Sequence, residues 1–206
     1  MTEKFDADYF LRGKESGKSL YQNYRWMPDL TIPMVKAIAE HCGILKGEWV
    51  LDYGCARGYT VKALNALGYQ GMGYDVSKWA VENCDPEVKG LATNDEVVLE
   101  NTYEWGIAKD VLEHVENVDS IIDLLMNQCS RGVFAVVPLS HNGKTYDVEE
   151  YDKDVTHIHR RPLGWWVSHF HRPGWAVESR YRLRGVKDNY SSWPTGNGFI
   201  TARRLD

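Results

Sequence analysis

Four residues with small or acidic side chains stand in alternation in Asp52-x-Gly54-x-Ala56-x-Gly58, with Cys55 inside the run. A loop without large side chains lets a ligand approach the backbone closely, and a helix that starts there offers unpaired N–H groups. Asp75 follows at the end of the next apolar segment. It is placed to accept hydrogen bonds from ribose hydroxyls, as an acid about 20 residues past the glycine loop does in dinucleotide folds. The spacing is not G-x-G-x-x-G, and no Lys-Ser/Thr pair follows to hold a phosphate. An acid before the loop suits a cationic ligand better than a pyrophosphate. Two further clusters carry titratable groups: Asp110 to His114, and Asp154-x-Thr156-His157 with His159, His169 and His171 beyond it. Imidazoles titrate near neutral pH and can act as bases or bind metals.

The elements that must position these residues are legible in the periodicity. Val50 and Leu51 end a buried strand, and Val61, Leu64 and Leu67 have helical spacing after the loop. Gly68 stops that helix, and Gln70 to Tyr74 forms a second strand. In a parallel sheet the two strand ends lie side by side, which brings Asp75 to the loop. Thr31 to His41 is a helix stopped by Gly43, and Ser77 caps a short helix from Lys78 to Asn83. Strands three, four and five are expected over Val88–Ala92, Glu104–Ala108 and Val133–Val137. Asn117 to Gln128 is a helix broken by Gly132, with Val118, Ile121, Ile122, Leu124 and Leu125 buried. Trp175–Leu183 and Gly198–Arg203 read as a terminal antiparallel pair. Repeated β–α units imply a parallel sheet with right-handed crossovers. Gly13 to Ser19 imitates a phosphate-binding loop but is one residue short between its glycines and follows no buried strand; it reads as a flexible turn.

The Asp52–Gly58 stretch resembles motif I of the class I S-adenosylmethionine (SAM)-dependent methyltransferases, D/E-x-G-x-G-x-G, with Ala56 in place of the middle glycine. Asp110-Val111-Leu112-Glu113-His114 is similar to the D-V-L-E-H signature that follows strand four in small-molecule members, and Asp154 to His157 matches a D-x-T-H pattern found in similar enzymes. The resemblance covers roughly residues 45–204. It implies an α/β, Rossmann-like, doubly wound seven-stranded sheet, mostly parallel with an antiparallel C-terminal hairpin. It also implies SAM as cofactor, held by Asp52, Gly54, Cys55, Ala56, Gly58, Asp75, Val76, Asn94, Asp95 and Asp110. Of these, Asn94 or Asp95 would bond the adenine amine, or merely cap the next turn. Asp110 would lie beside the methyl-donor end. His157 is the first candidate for a base and His114 the second, although His114 could instead tie its loop to the following helix. The rivals are a Rossmann NAD-dependent oxidoreductase or epimerase, and a SAM-binding module without turnover.

At 206 residues with a net charge of -5, one domain is expected, and a uniformly basic nucleic-acid binder is disfavoured. No apolar run reaches membrane length and no secretory segment is visible, so a cytoplasmic location without membrane contact is expected. The four cysteines form no C-x-x-C and read as reduced thiols. Residues 1–30 are rich in aromatics and read as an arm packed on the core or as a lid over the cofactor. Residues 138–174 interrupt the β–α rhythm, and long ordered loops are usually functional. One histidine of that insertion is expected to face the acceptor; a metal site is not expected, because His169 and His171 at a helix end would point apart. From His157 onward the chain carries nine Lys/Arg against three Asp/Glu, together with several tryptophans. Such a rim suits an anionic, sugar-like or aromatic small-molecule acceptor, with single-stranded nucleic acid as the less favoured partner. The plainer reading is a hairpin whose Arg180, Arg182 and Arg184 alternate outward.

Overall fold

A computed structural model describes residues 4–205. The arm holds two short helices, α1 (Ala7–Leu11) and α2 (Gly13–Ser16), and leads into α3 (Pro28–Cys42). The α/β body follows as β1 (Trp49–Tyr53), α4 (Tyr59–Ala66), β2 (Gln70–Tyr74), α5 (Lys78–Glu82), β3 (Ala92–Thr93) and β4 (Tyr103–Lys109). It continues with α6 (Val118–Gln128), β5 (Cys129–Pro138), α7 (Leu163–Ser168), β6 (Trp175–Arg180) and β7 (Asn197–Arg204). The seven strands form one sheet in the order β3-β2-β1-β4-β5-β7-β6. β1 to β5 pair in parallel, and β7 runs antiparallel to both β5 and β6. This is the Rossmann-like, doubly wound sheet with an antiparallel C-terminal hairpin expected from the sequence.

Strand periodicity explains why both faces are covered. Successive side chains point to opposite faces, so a strand that is apolar throughout must bury both. In β5, Val133, Ala135 and Val137 join Ile122 and Leu125 of α6 and Trp166 of α7. Phe134 and Val136 join Val35 and Ile38 of α3 and Leu64 of α4 on the other side. The sheet order reverses at β1 and β4, and ligands of open α/β sheets bind outside the strand ends at such a switch point.

Several boundaries differ from the periodicity. α6 ends at Gln128, as its periodicity has it, but Gly132 is not what stops it: Cys129 already has extended backbone. Gly132 lies inside β5, where a Cβ would come within 2.3 Å of the Trp105 ring; its smallness serves sheet packing. Strand three shrinks to two residues because Pro86–Val88 forms a 3-10 turn. Gly13–Ser19 is not a loose turn. Gly13 opens a one-turn helix that Gly17 closes in the left-handed conformation, and Lys14 N donates to Tyr21 O. Thr31–His41 extends at both ends to α3, which starts on Pro28, a favourable first helical residue.

Candidate active site

Gly54 and Cys55, at the end of β1, both donate backbone N–H bonds to Tyr74 O, at 2.7 and 3.0 Å. These bonds clamp the small-residue loop onto the end of β2 and leave Asp75 beside it. Ala56 N then donates to Asp75 Oδ2 at 2.7 Å, and Ser77 N donates to Oδ1 at 2.7 Å. Ala56 holds φ +49, a left-handed conformation that is costly for any residue with a Cβ, and this aims its N–H at the carboxylate. Gly54 has φ +82, and a Cβ there would come within 2.3 Å of Val111 Cγ2. Glycine at this position therefore lets the loop after β4 close against the loop after β1. Burial raises the Asp75 carboxyl above its ordinary range, and the N–H groups of Ser77 and Ala56 partly offset that.

A cavity of about 410 Å³ opens over these loops. Gly54, Ala56, Asp75, Val76, Asp110 and His114 line it, and all six were singled out in the sequence. Its remaining walls were not anticipated residue by residue. Tyr53 and Tyr74, at the ends of β1 and β2, stand 5.4 Å apart between ring centroids and line one side with Ser120 and Ile121 of α6. Their place at strand ends next to the loop was the available signal. Phe5, Tyr9, Phe10 and Tyr21 of the arm form the roof. Phe10 stacks on Trp79 of α5 at 5.6 Å, and Ser77 Oγ donates to Phe5 O at 2.5 Å.

Other singled-out residues sit behind or beside the cavity. Asp52 is buried; burial first, and Asp75 nearby, push its carboxyl up to about 7, although Lys109 pulls the other way. Cys55 packs with Val61, Val88 and Ala92 behind the loop, because its side chain turns toward β2. Gly58 caps α4 in the left-handed conformation, where a Cβ would strike Val88 at 2.7 Å. Asn94 and Asp95 are exposed and off the cavity. Asp95 Oδ1 accepts from Val97 N at 3.0 Å, so its side chain caps the 3-10 turn that follows.

Asp110 takes φ +57 just after β4. Burial would raise its carboxyl, but Lys109 at 2.6 Å and Lys187 at 2.5 Å outweigh that and hold it well below the usual carboxylate range. His114 follows, with its ring 4.7 Å from that of His157 and the Phe5 ring edge-on at 5.5 Å. His157 is not among the residues that line the cavity. It lies behind His114, and its Nδ1 donates to Tyr151 O at 2.8 Å. Asp154 does not orient it directly either: Nε2 stands 3.9 Å from Asp154 Oδ2, beyond hydrogen-bond range. Burial lowers both imidazoles, His114 to about 4, where His157 nearby adds to the effect.

The insertion behaves differently from expectation. None of its residues lines the cavity; it packs behind the loop after β4, with Ile158 N on Glu113 O and His159 Nε2 on Val115 O. His169 bonds Asp119, and His171 is exposed, so His157, His159, His169 and His171 do not converge. Among the described residues, the group whose ligating atoms come within 4.8 Å of one another is Glu113, His114 and His157. Trp166 is fully buried, while Arg180 and Arg203 pair with Glu178. No described residue of the basic third lines the cavity; of its lysines and arginines, Lys187 alone reaches the site, where it pairs with Asp110.

A parallel sheet with this strand order, a glycine loop after β1 and an acid after β2 are the nucleoside-binding arrangement of the Rossmann-like class. Residues 26–179 match the family model described as a methyltransferase domain, and the chain belongs to that family. It is a SAM-dependent methyltransferase. Among functionally curated proteins, no sequence matches it. Solved structures share the fold. Magnesium protoporphyrin IX methyltransferase from Synechocystis, solved with bound S-adenosylhomocysteine, is 17% identical with a TM-score of 0.64, over 98% of this chain and 97% of that one. A structure from work on disulfide-to-thioacetal conversion in echinomycin biosynthesis is 22% identical with a TM-score of 0.63, over 100% and 93%. Phosphoethanolamine N-methyltransferase 2 from Haemonchus contortus, solved with SAM, is 15% identical with a TM-score of 0.64; this chain spans 84% of its own length and 52% of that protein.

Proposed function

We propose that the chain methylates a small-molecule acceptor bound beneath the N-terminal arm, with SAM seated over the loop after β1. The observation that carries this reading is the single cavity shared by the loop (Gly54, Ala56), the acid (Asp75) and the arm (Phe5, Tyr9, Tyr21). The residues fit the cofactor. Asp75 is held by two backbone N–H groups, and a carboxylate retains further lone pairs for ribose hydroxyls. Val76 and Tyr74 flank the same wall, and Asp110 and His114 mark the far end. SAM, when bound, supplies a methyl group already activated on a sulfonium. The chain's own work is to hold the two reactants in line and to exclude water.

His114, rather than His157, is the base in this reading, because it lines the cavity. Held unprotonated by burial, it can take a proton from a hydroxyl or ammonium acceptor at neutral pH. The aromatic and aliphatic walls suit an acceptor with a flat or apolar body better than a single-stranded nucleic acid, whose phosphates need basic contacts. In this reading the chain acts without a metal: Lys109 and Lys187 both pair with Asp110 and supply positive charge beside Glu113 and His114. Elemental analysis of untagged protein should find well under one equivalent, and a stoichiometric, chelator-sensitive metal would reverse this assignment. The function is tested by incubating the protein with methyl-labelled SAM and either a fractionated metabolite extract or single-stranded RNA. Label is expected in a small molecule; label in RNA alone would contradict the acceptor class.

A further inference from the structure

Asp154 and Thr156 do not line the cavity, yet both are buried and their polar atoms form one continuous chain. Tyr9 Oη donates to Asp154 Oδ2 at 2.9 Å. Thr156 N and Thr156 Oγ1 both approach Asp154 Oδ1, at 2.9 and 2.5 Å. Thr156 Oγ1 also lies 2.8 Å from His114 Nδ1. Tyr9 belongs to the arm, Asp154 and Thr156 to the insertion, and His114 to the loop after β4. Three segments distant in sequence thus meet in one line of hydrogen bonds.

We propose that Asp154 and Thr156 are positioning residues that fix the tautomer of His114 and link it to closure of the arm. The direction of each bond follows from proton counting. A threonine hydroxyl has one proton. The short contact with Asp154 is that of a hydroxyl donating to a carboxylate, which is the stronger of the two bonds open to it. Thr156 Oγ1 therefore presents a lone pair to His114, and Nδ1 must carry the proton to donate to it. A neutral imidazole protonated at Nδ1 keeps its lone pair on Nε2. That leaves Nε2 as the basic nitrogen, with Nδ1 turned to the protein, while His114 itself lines the cavity. This is the orientation a proton acceptor needs.

The same carboxylate receives the arm. Tyr9 is buried, and its phenol stays protonated because burial and the neighbouring Tyr21 and Asp154 all raise its pKa. Tyr9 can then satisfy Asp154 Oδ2 only when the arm is closed. The contact is reinforced on both sides: Val155 N donates to Lys18 O at 3.2 Å, and the Phe5 ring stands edge-on to His114. Opening the arm would leave a buried carboxylate oxygen short of a partner and would remove the aromatic edge from the imidazole. Closure and base orientation are in this way parts of one arrangement. The D-x-T-H pattern reads differently as a result. Its aspartate and threonine serve the histidine of the preceding D-V-L-E-H segment, not the histidine that follows them.

The inference rests on His114 being the base, but its test does not need the acceptor. Histidine tautomers can be read from long-range nitrogen–proton correlations in 15N-labelled protein with S-adenosylhomocysteine added. In the wild type at neutral pH, His114 is expected in the Nδ1–H form. Thr156→Ser, which keeps the hydroxyl, should preserve it. Thr156→Val should shift His114 toward the Nε2–H form that free imidazole favours. Tyr9→Phe should lower the Nδ1–H fraction and speed amide exchange over residues 5–24 by about tenfold or more, as loss of a bond to a carboxylate implies. A wild-type His114 in the Nε2–H form overturns the proposal even if Thr156→Val fails to fold. So does a Thr156→Val variant that keeps Nδ1–H, and Tyr9→Phe without effect on the tautomer overturns the link to the arm. If His114→Ala keeps full turnover while these tautomer results hold, the base assignment fails and the hydrogen-bonded chain stands.

Discussion

His114 and His157 lie with their rings 4.7 Å apart, yet only His114 reaches the cavity. The D-x-T-H pattern points to His157 because it sits in the long insertion, and spacing alone carries no information about which of two touching imidazoles is in front. The difference is measurable. His114→Ala should keep SAM affinity and lose about 10²–10⁴-fold in turnover, the usual range for a positioned acid–base group. His157→Ala should lose much less. Burial holds His114 down to about 4, so its base form persists well below the pH at which an ordinary histidine protonates. The acid limb of the rate profile is therefore expected near pH 4 to 5. An acid limb at 6.5, or a His114→Ala variant with full turnover, would remove His114 from the reaction.

The arm is an element whose sequence shows only aromatic content, and its contacts explain that content. Phe10 lies on Trp79, Tyr24 tilts against Tyr59 at 5.2 Å, and Arg57 Nη1 donates to Tyr24 O at 2.9 Å. Short helices of this length are not stable alone and depend on such packing. Ser77 ties the arm to the cofactor end, because its N–H holds Asp75 and its hydroxyl holds Phe5 O. Adding S-adenosylhomocysteine should then slow amide exchange across residues 5–24 and leave β6 unchanged; equal exchange with and without it would show that the arm does not respond to the cofactor site. The glycine loop, Asp75 and six of the seven strands were legible because each rests on a local signal: small residues, a strand end, or alternation; the third was not, since a 3-10 turn occupies the start of its expected run. The roof was not, since it depends on which distant segment folds back. Nor was the placement of Gly132, whose smallness answers the Trp105 ring across the sheet rather than its own helix. Asp95 was legible only as a choice between two roles, and the 3-10 turn after β3 decided for the cap.

At the scale of the molecule, burying charged groups near the cavity links stability to pH. Burial first, and Asp110 beside it, push the Glu113 carboxyl up to about 8, and one of its oxygens has no hydrogen-bond partner. A carboxyl raised in the folded state holds a proton that the unfolded chain has already released, so stability falls as pH rises toward 8. Asp52, raised to about 7, acts in the same direction. The lowered histidines act oppositely but only below about 6.5. Between pH 6.5 and 9, Glu113→Gln should therefore lose less thermal stability than the wild type, and parallel melting curves over that range would show that Glu113 does not titrate there. No helix among the described residues is long and apolar enough to cross a membrane. The claim on which the rest depends is that SAM sits on Asp75 with its reactive end toward His114. Calorimetric titration of SAM into the wild type, Asp75→Ala and His114→Ala tests it most directly. The expected result is one site in the wild type, affinity weaker by about 1.5–3 kcal/mol in Asp75→Ala from the lost charge-assisted bonds, and near-wild-type affinity in His114→Ala. Unchanged SAM binding by Asp75→Ala, or tight binding of NAD in place of SAM, would contradict it.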